Sequence, residues 1–334
     1  MLVRAGSAFE SLRGARILVT GGTGFFGHWL LGTLLHADRE LGLGVEVVVL
    51  SRDPGSFRDR WPHPDLSSLR FVKGDVRGAE ALVEPSLRQP FTHVVHAATA
   101  TDARLYRDAP SEMFATIVDG TRSVLAVAAR SPGARLLFTS SGAVYGRQPS
   151  DLTHVPETYL GAPDPLDPGS TYGVAKRAAE HLCTLAPTPA VIARCWAFAG
   201  PHLPLDAHFA IGNFIRDGRA GGPVRVGGDG TPFRSYLYAA DLAVWLWRLL
   251  VDGRPGRAYN VGSDRDLSIR ELAETVARAY RCAVDIARTP VSGAPVQRYV
   301  PAIDRARHEL GLEAWTSLED SIERTERWLQ GVRT

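Results

Sequence analysis

Short, mostly apolar runs alternate with stretches of helical period through the first two-thirds of the chain. Residues 16–20, 45–50, 69–73, 93–97, 135–139 and 190–194 have the length and composition of strands buried on both faces. Between them, residues 24–36, 111–130 and 172–185 carry apolar side chains at helical spacing. This alternation predicts an α/β fold, a Rossmann-type doubly wound parallel sheet with helices on both faces. Past residue 194 the pattern loosens into Pro- and Gly-rich segments at 201–204 and 221–232. Two amphipathic helices follow, around 268–280 and 318–330; Ile269, Leu272, Val276 and Tyr280 share one face of the first, as packing requires. Segment 236–260 reads as a return to the sheet domain, which makes the smaller lobe discontinuous. The expected division is a dinucleotide-binding domain over 1–195 and 235–263. A smaller, mostly C-terminal substrate-binding lobe takes 196–234 and 264–334.

Composition removes several classes of function. A formal net charge of +2 over 334 residues offers no field for nucleic acid or an anionic membrane. No apolar run approaches a membrane span, and residues 1–14 lack the apolar core of a signal peptide. Cys183, Cys195 and Cys282 have no metal-ligand spacing and suit free thiols in a reducing cytoplasm; no metal is expected. Basic charge is carried almost wholly by arginine, and Lys73 and Lys176 are the only lysines. A lysine kept in such a chain is a candidate for work that arginine cannot do, since guanidinium does not deprotonate at working pH. For Lys73, chance retention is the plain reading.

The first strand runs into Gly21-Gly22-Thr23-Gly24-Phe25-Phe26-Gly27 and then a helix. In this context Gly21 permits a tight turn and Gly24 lets a pyrophosphate approach the backbone. Gly27 lets the helix lie close, with its first N–H groups facing the phosphates. The end of the second strand reads Ser51-Arg52-Asp53, where an acidic residue would bond a ribose 2′-hydroxyl and basic residues make room for a 2′-phosphate. Ser51 and Arg52 favour NADP; Asp53 reaches the ribose if the turn is shifted. Asp75 follows the third strand, as either an acceptor for the adenine amino group or a plain turn aspartate.

The fifth strand ends in Ser140-Ser141-Gly142-Ala143-Val144-Tyr145-Gly146, and downstream comes Tyr172-Gly173-Val174-Ala175-Lys176. A spacing of four puts Tyr172 and Lys176 on one helical face. A phenol is a poor base at neutral pH. A neighbouring ammonium and a nicotinamide cation favour phenolate and bring the group toward the working range. Tyr172 can then take a proton from a substrate hydroxyl, with Ser141 expected to orient the same oxygen and Lys176 expected to hold the nicotinamide ribose as well.

On these motifs the chain resembles the extended short-chain dehydrogenase/reductase family that modifies nucleotide sugars. That group holds 4-epimerases, UDP-glucuronate decarboxylases, dTDP-glucose 4,6-dehydratases and 4-ketoreductases. The likeness covers most of residues 15–312. Val95-His96-Ala97-Ala98 resembles the family's loop after the fourth strand, and Gly228-Asp229-Gly230 with Arg234 its diphosphate-binding stretch. Tyr259-Asn260-Val261-Gly262 and Arg298-Tyr299 resemble its C-terminal pattern. The resemblance implies bound NAD, with NADP as the alternative, and catalytic Ser141, Tyr172 and Lys176. It implies cofactor contacts from Gly21, Gly24, Phe25, Phe26, Gly27, Ser51, Arg52, Asp75, Val76, Ala97 and Ala98, together with Tyr172 and Lys176. Substrate contacts fall to Thr99, Gly142, Ala143, Arg234 and Arg298. The partners implied are a UDP- or dTDP-sugar and a second copy of the chain, joined through helices 111–130 and 172–185.

Departures from the family pattern bear on the reaction. The 4,6-dehydratases carry an Asp-Glu pair where this chain has Gly142 and Ala143, so the acid and base for loss of the C6 hydroxyl are missing. The decarboxylases' glutamate in this stretch is missing too, but decarboxylation of a 4-keto glucuronate needs no proton donor at C6. The family's asparagine is replaced at Ala197. The expectation is oxidation at sugar C4 followed by redox-neutral conversion, either UDP-glucuronate decarboxylation or C4 epimerisation. An NADPH-dependent 4-ketoreductase is the alternative. A non-catalytic dinucleotide sensor is the reading from another class, opposed by the intact Ser141, Tyr172 and Lys176.

Overall fold

Seven strands form the main sheet in a computed structural model that describes residues 1–55, 57, 61, 66, 68–78, 84–99, 108–207 and 209–331. They are β1 Arg16–Thr20, β2 Glu46–Ser51, β3 Leu69–Lys73, β4 His93–His96, β5 Arg135–Ser141, β6 Ala190–Cys195 and β7 Ala258–Val261. Their order is 7-6-5-4-1-2-3. Pairings from β3 through β6 are parallel, and β7 joins by Ile192 N–H donating to Arg257 O at 3.0 Å. The order reverses direction between β1 and β4, the switch point where α/β sheets of this kind bind dinucleotides.

Burial explains the uninterrupted apolar runs. Leu18, Val48, Val94, Leu136, Phe138 and Ile192 form one core with Met113, Ile117, Val124, Ala175 and Ala179. These last lie on α2 (Pro110–Ala128) and α3 (Thr171–Leu185). Ile17, Val19, Val47, Val49, Val95 and Leu137 alternate with the first set along the strands and are equally buried. Two further helices, α1 (Phe25–Leu41) and α4 (Ala239–Asp252), are joined by Trp247 Nε1 donating to Thr33 Oγ1 at 3.1 Å.

Every expected strand and helix is present, with ends moved by up to five residues. The largest change is in α1, which runs to Leu41. Arg39 and Glu40 are exposed, while half-buried Asp38 holds the turn beyond the helix by accepting from Gly44 N–H at 2.7 Å and Ser68 Oγ at 3.0 Å. Gly42, in the left-handed region at φ 58°, ends the helix. Helix α4 was not visible in the periodicity of segment 236–260. Leu242 to Trp247, Leu249 and Leu250 are all buried, and its polar edge is narrow: Asp241 is buried as well, which leaves Arg248 and Asp252, paired at 2.6 Å.

The chain divides into two units, Met1–Gly146, Ala162–Cys195 and Ala243–Tyr259 in one, Arg147–Gly161, Trp196–Leu242 and Asn260–Thr334 in the other. In the second, strand Phe233–Ser235 lies between Asp266–Ser268, antiparallel, and Arg298–Tyr299, parallel. Helix Ile269–Tyr280 begins at a capping box. Ser268 N–H donates to Glu271 Oε2 at 2.7 Å, and Glu271 N–H returns a bond to Ser268 Oγ at 3.1 Å. Its far end is tied to helix Leu318–Gly331 by Tyr280 Oη donating to Glu326 Oε2 at 2.6 Å. No helix among the described residues is long and apolar enough to cross a membrane.

Candidate active site

Gly21, Gly24 and Gly27, three of the four glycines of the first loop, meet three different constraints. Gly21 sits at φ 73°, and a Cβ there would come within 2.5 Å of the Ala97 carbonyl. The β1 loop therefore lies directly against the β4 loop. Gly27, in the first turn of α1, rests on the Gly22 backbone with no room for a methyl group. Gly24 is different: it caps α1, its backbone is extended, and the nearest atom to a Cβ there would be Gly21 O at 3.5 Å. The N-cap of α1, Gly24, brings no side-chain cap, and a helix N-terminus at this place presents positive dipole to an anion. This loop fits a dinucleotide pyrophosphate. Phe25 and Phe26 stand beside it, half-buried, with ring centroids 5.9 Å apart.

At the adenosine end, Ser51 is buried at the tip of β2, its Oγ 3.0 Å from Thr23 Oγ1 in the glycine loop. Asp53 N–H also donates to Ser51 Oγ, at 3.3 Å. Arg52 is exposed. Asp75 accepts from Arg77 three times, through N, Nε and Nη2 at 2.8 to 3.1 Å. Those bonds to Arg77 hold its carboxyl below the ordinary range. Val76 is buried against Gly120 of α2.

Helix α3 presents the tyrosine and lysine through one close approach. A Cβ on Gly173 would come within 2.6 Å of Ala143 O, so the first turn of α3 lies on the turn Gly142–Tyr145. Arg177 Nη1 donating to Val144 O at 3.1 Å fastens the same contact. Ser141 caps that turn, accepting from Ala143 N–H at 3.1 Å, which leaves its hydroxyl hydrogen to donate. Gly142 and Ala143 thus adjoin the start of α3, and neither brings a titratable group.

Lys176 lies one turn beyond Tyr172 and is buried, its Nζ 4.8 Å above the Phe138 ring and 5.9 Å from the Tyr172 ring. It donates to Thr99 Oγ1 at 2.6 Å and to Thr139 O at 2.7 Å. Burial pulls its pKa down to about 8, against the raising influence of Cys195, Glu180 and Cys183.

Two buried polar clusters around this centre have pairings that the local sequence does not reveal. In one, Glu180 accepts from Ser140 Oγ at 2.5 Å and from Arg194 Nη2 at 2.7 Å, while Arg194 Nη1 donates to Tyr145 Oη at 2.9 Å. The only hint is that Glu180 continues the Tyr172–Lys176 face by one more turn. In the other, His96 bridges Thr20 Oγ1 at 2.8 Å and Thr121 Oγ1 at 3.1 Å.

In the second unit, Arg298 is paired with Asp266 at 2.6 Å and stacked on Phe233 at 4.2 Å. Arg234 lies 5.9 Å over Tyr299 and donates to Phe233 O at 2.7 Å. Asn260 is an interior staple, donating to Val155 O and Ala302 O at 2.8 and 3.0 Å. Asp229 accepts from Thr231 N–H and Oγ1 within its own turn.

The sequence model described as the NAD dependent epimerase/dehydratase family matches residues 17–262. UDP-glucuronic acid decarboxylase 1 of Arabidopsis thaliana is 32% identical over 316 residues, covering 92% of this chain and 68% of the relative. A dTDP-glucose 4,6-dehydratase of Streptomyces niveus is 28% identical over 326 residues, covering 95% and 94%. Among solved structures, the dehydratase DesIV of Streptomyces venezuelae, determined with NAD bound, superposes with a TM-score of 0.78 at 25% identity. That match covers 95% of this chain and 98% of DesIV. With the glycine loop, the switch-point sheet and the Tyr172–Lys176 helix in place, the chain belongs to the NAD dependent epimerase/dehydratase family.

Proposed function

We propose that this enzyme oxidises a nucleotide sugar at C4 and completes a redox-neutral conversion, with UDP-glucuronate decarboxylation first and C4 epimerisation second. The observation that carries this reading is the turn Gly142–Tyr145, which lies against the start of the Tyr172 helix without a carboxyl group. Similarity to the Arabidopsis decarboxylases supports the choice of sugar.

Tyr172 Oη takes the C4 hydroxyl proton as the C4–H bond breaks. Ser141 Oγ donates to the same oxygen, and the Lys176 ammonium favours the phenolate. NAD, when bound, supplies the hydride acceptor and later the donor. A 4-keto glucuronate is a β-keto acid. When its C5–carboxyl bond breaks, the electron pair passes to the C4 carbonyl and carbon dioxide leaves. A proton from solvent then adds at C5, and Tyr172 returns its proton to O4 as C4 is reduced. Removal of a C6 hydroxyl would need a general acid there, which glycine and alanine do not supply. Arg234 and Arg298 are assigned to the diphosphate as charged forks, and a homodimer through α2 and α3 is part of the same reading.

The alternative, an NADPH-dependent 4-ketoreductase, draws on Ser51 and exposed Arg52 at the adenosine end, where an acidic residue would select NAD. Incubation with UDP-glucuronate and, separately, dTDP-glucose tests the assignment by product mass. Loss of one carbon dioxide from the first, with no loss of water from the second, is expected. Dehydration of dTDP-glucose would overturn it. NADPH oxidation confined to an added 4-keto sugar would favour the reductase.

A further inference from the structure

An ammonium has three hydrogens to place, and two of those on Lys176 go to Thr99 Oγ1 and Thr139 O. Thr139 O belongs to β5 and is held by the sheet. Thr99 rides on the loop after β4, and that loop is tied down from below. Ala97 N–H donates to Thr20 O at 3.1 Å and Ala98 N–H to Thr20 Oγ1 at 3.2 Å. The rest of the chain of bonds has a forced direction. Thr121 Oγ1 donates to Ile117 O at 2.6 Å, so toward His96 it must accept. His96 is therefore protonated at Nε2 and accepts at Nδ1 from the Thr20 hydroxyl. Burial, helped by the Lys176 charge, keeps His96 neutral with a pKa of about 3. Thus β1, β4 and α2 together fix the backbone from which Thr99 reaches the lysine.

We infer that Thr99 is a positioning residue for Lys176, its hydroxyl anchoring the ammonium beside Tyr172, and not a contact to the sugar as the family resemblance implies. This rests on the reading of Ser141, Tyr172 and Lys176 as the catalytic set. The titratable groups facing Lys176 are Tyr172, Glu180 and Cys183 on α3, Cys195 on β6 and His96 on β4. Glu180 is neutralised by Arg194, burial pushes both thiols up to about 12, and His96 is uncharged. The two acceptors, at 2.6 and 2.7 Å, therefore act directly on the charged form of Lys176, beside the weaker influence of these more distant groups. Without the Thr99 hydroxyl the ammonium is less stable, Lys176 titrates lower and Tyr172 titrates higher.

Thr99→Val removes the acceptor at nearly constant shape, and Thr99→Ser keeps it. In Thr99→Val, kcat should fall about 30-fold with the sugar-nucleotide KM within about twofold, and the upper pH limit of kcat should drop by roughly one unit. Thr99→Ser should return to within about threefold of wild type. A second readout needs no substrate. The tyrosinate absorbance of each protein minus that of its Tyr172→Phe counterpart should place Tyr172 roughly one unit higher in Thr99→Val. If Thr99→Val folds poorly, Thr99→Ala takes its place in both measurements. A raised KM with unchanged kcat and pH limit would make Thr99 a sugar contact, and an unmoved Tyr172 titration would remove the inference altogether. Wild-type turnover in Tyr172→Phe would instead defeat the catalytic reading beneath it, whatever Thr99 does.

Discussion

In the proposed mechanism Tyr172 acts as a base only to the extent that its surroundings favour phenolate over phenol. The unperturbed group titrates near 10, and the nearest source of favour is the Lys176 charge one turn along α3. Removing the hydroxyl removes the one group assigned to proton transfer. Tyr172→Phe should therefore fold and retain dinucleotide while turnover falls roughly 10²–10⁴-fold. Retention of more than about half the wild-type rate would show that the proton goes elsewhere. Tyr172, Lys176 and Ser141 are proposed from the chain because the chemistry calls for those residue types at that spacing, and the structure sets Lys176 beside the Tyr172 ring. The residues that hold them could not be read from the chain. His96 meets partners 76 and 25 positions away, and Arg194 meets one 49 away. Topology, not local pattern, brings such groups together. Asp75 shows the opposite case, since its strongest partner is Arg77, two residues along in its own turn.

Elements were legible where one face or both faces of a strand or helix had a consistent environment. Strands β1 and β3 begin and end where their apolar runs do, and helix Ile269–Tyr280 starts just after its capping serine. Helix α4 is marked only by a narrow polar edge, Arg248 with Asp252, beside a wide buried face. The loop between β1 and α1 allows a paired test of the glycine assignments. Gly27→Ala drives a methyl group into the Gly22 backbone, so α1 must shift and stability should drop by about 1–3 kcal/mol. Gly24→Ala meets no atom of the protein closer than 3.5 Å and should melt near the wild-type temperature. It should nevertheless lose bound dinucleotide, since the methyl group stands where the pyrophosphate is assigned. Thermal melts with quantitation of released nucleotide check both. Equal melting of the two variants, or full nucleotide retention in Gly24→Ala, would contradict the assignment.

At the scale of the whole molecule, the β4 histidines couple folding to pH. Burial lowers His96 to about 3 and His93 to about 4, from an ordinary 6.5. Between those values the unfolded chain binds more protons than the folded one, so stability rises with pH and is lost as pH falls below 6.5. His96 alone should make the protein about 2 kcal/mol less stable at about pH 5 than at about pH 6.5, as read by urea unfolding. Equal stability at both would mean that His96 is not held neutral. The family and the fold are shared with nucleotide-sugar enzymes, and the proposed mechanism turns on where the hydrogen removed from C4 goes. The most direct measurement uses the nucleotide sugar that the enzyme turns over, carrying deuterium at C4, with the product read by nuclear magnetic resonance. Redox-neutral decarboxylation or epimerisation predicts that the deuterium returns to C4. Deuterium at C6, the mark of dehydration, or its loss from the product would contradict the mechanism.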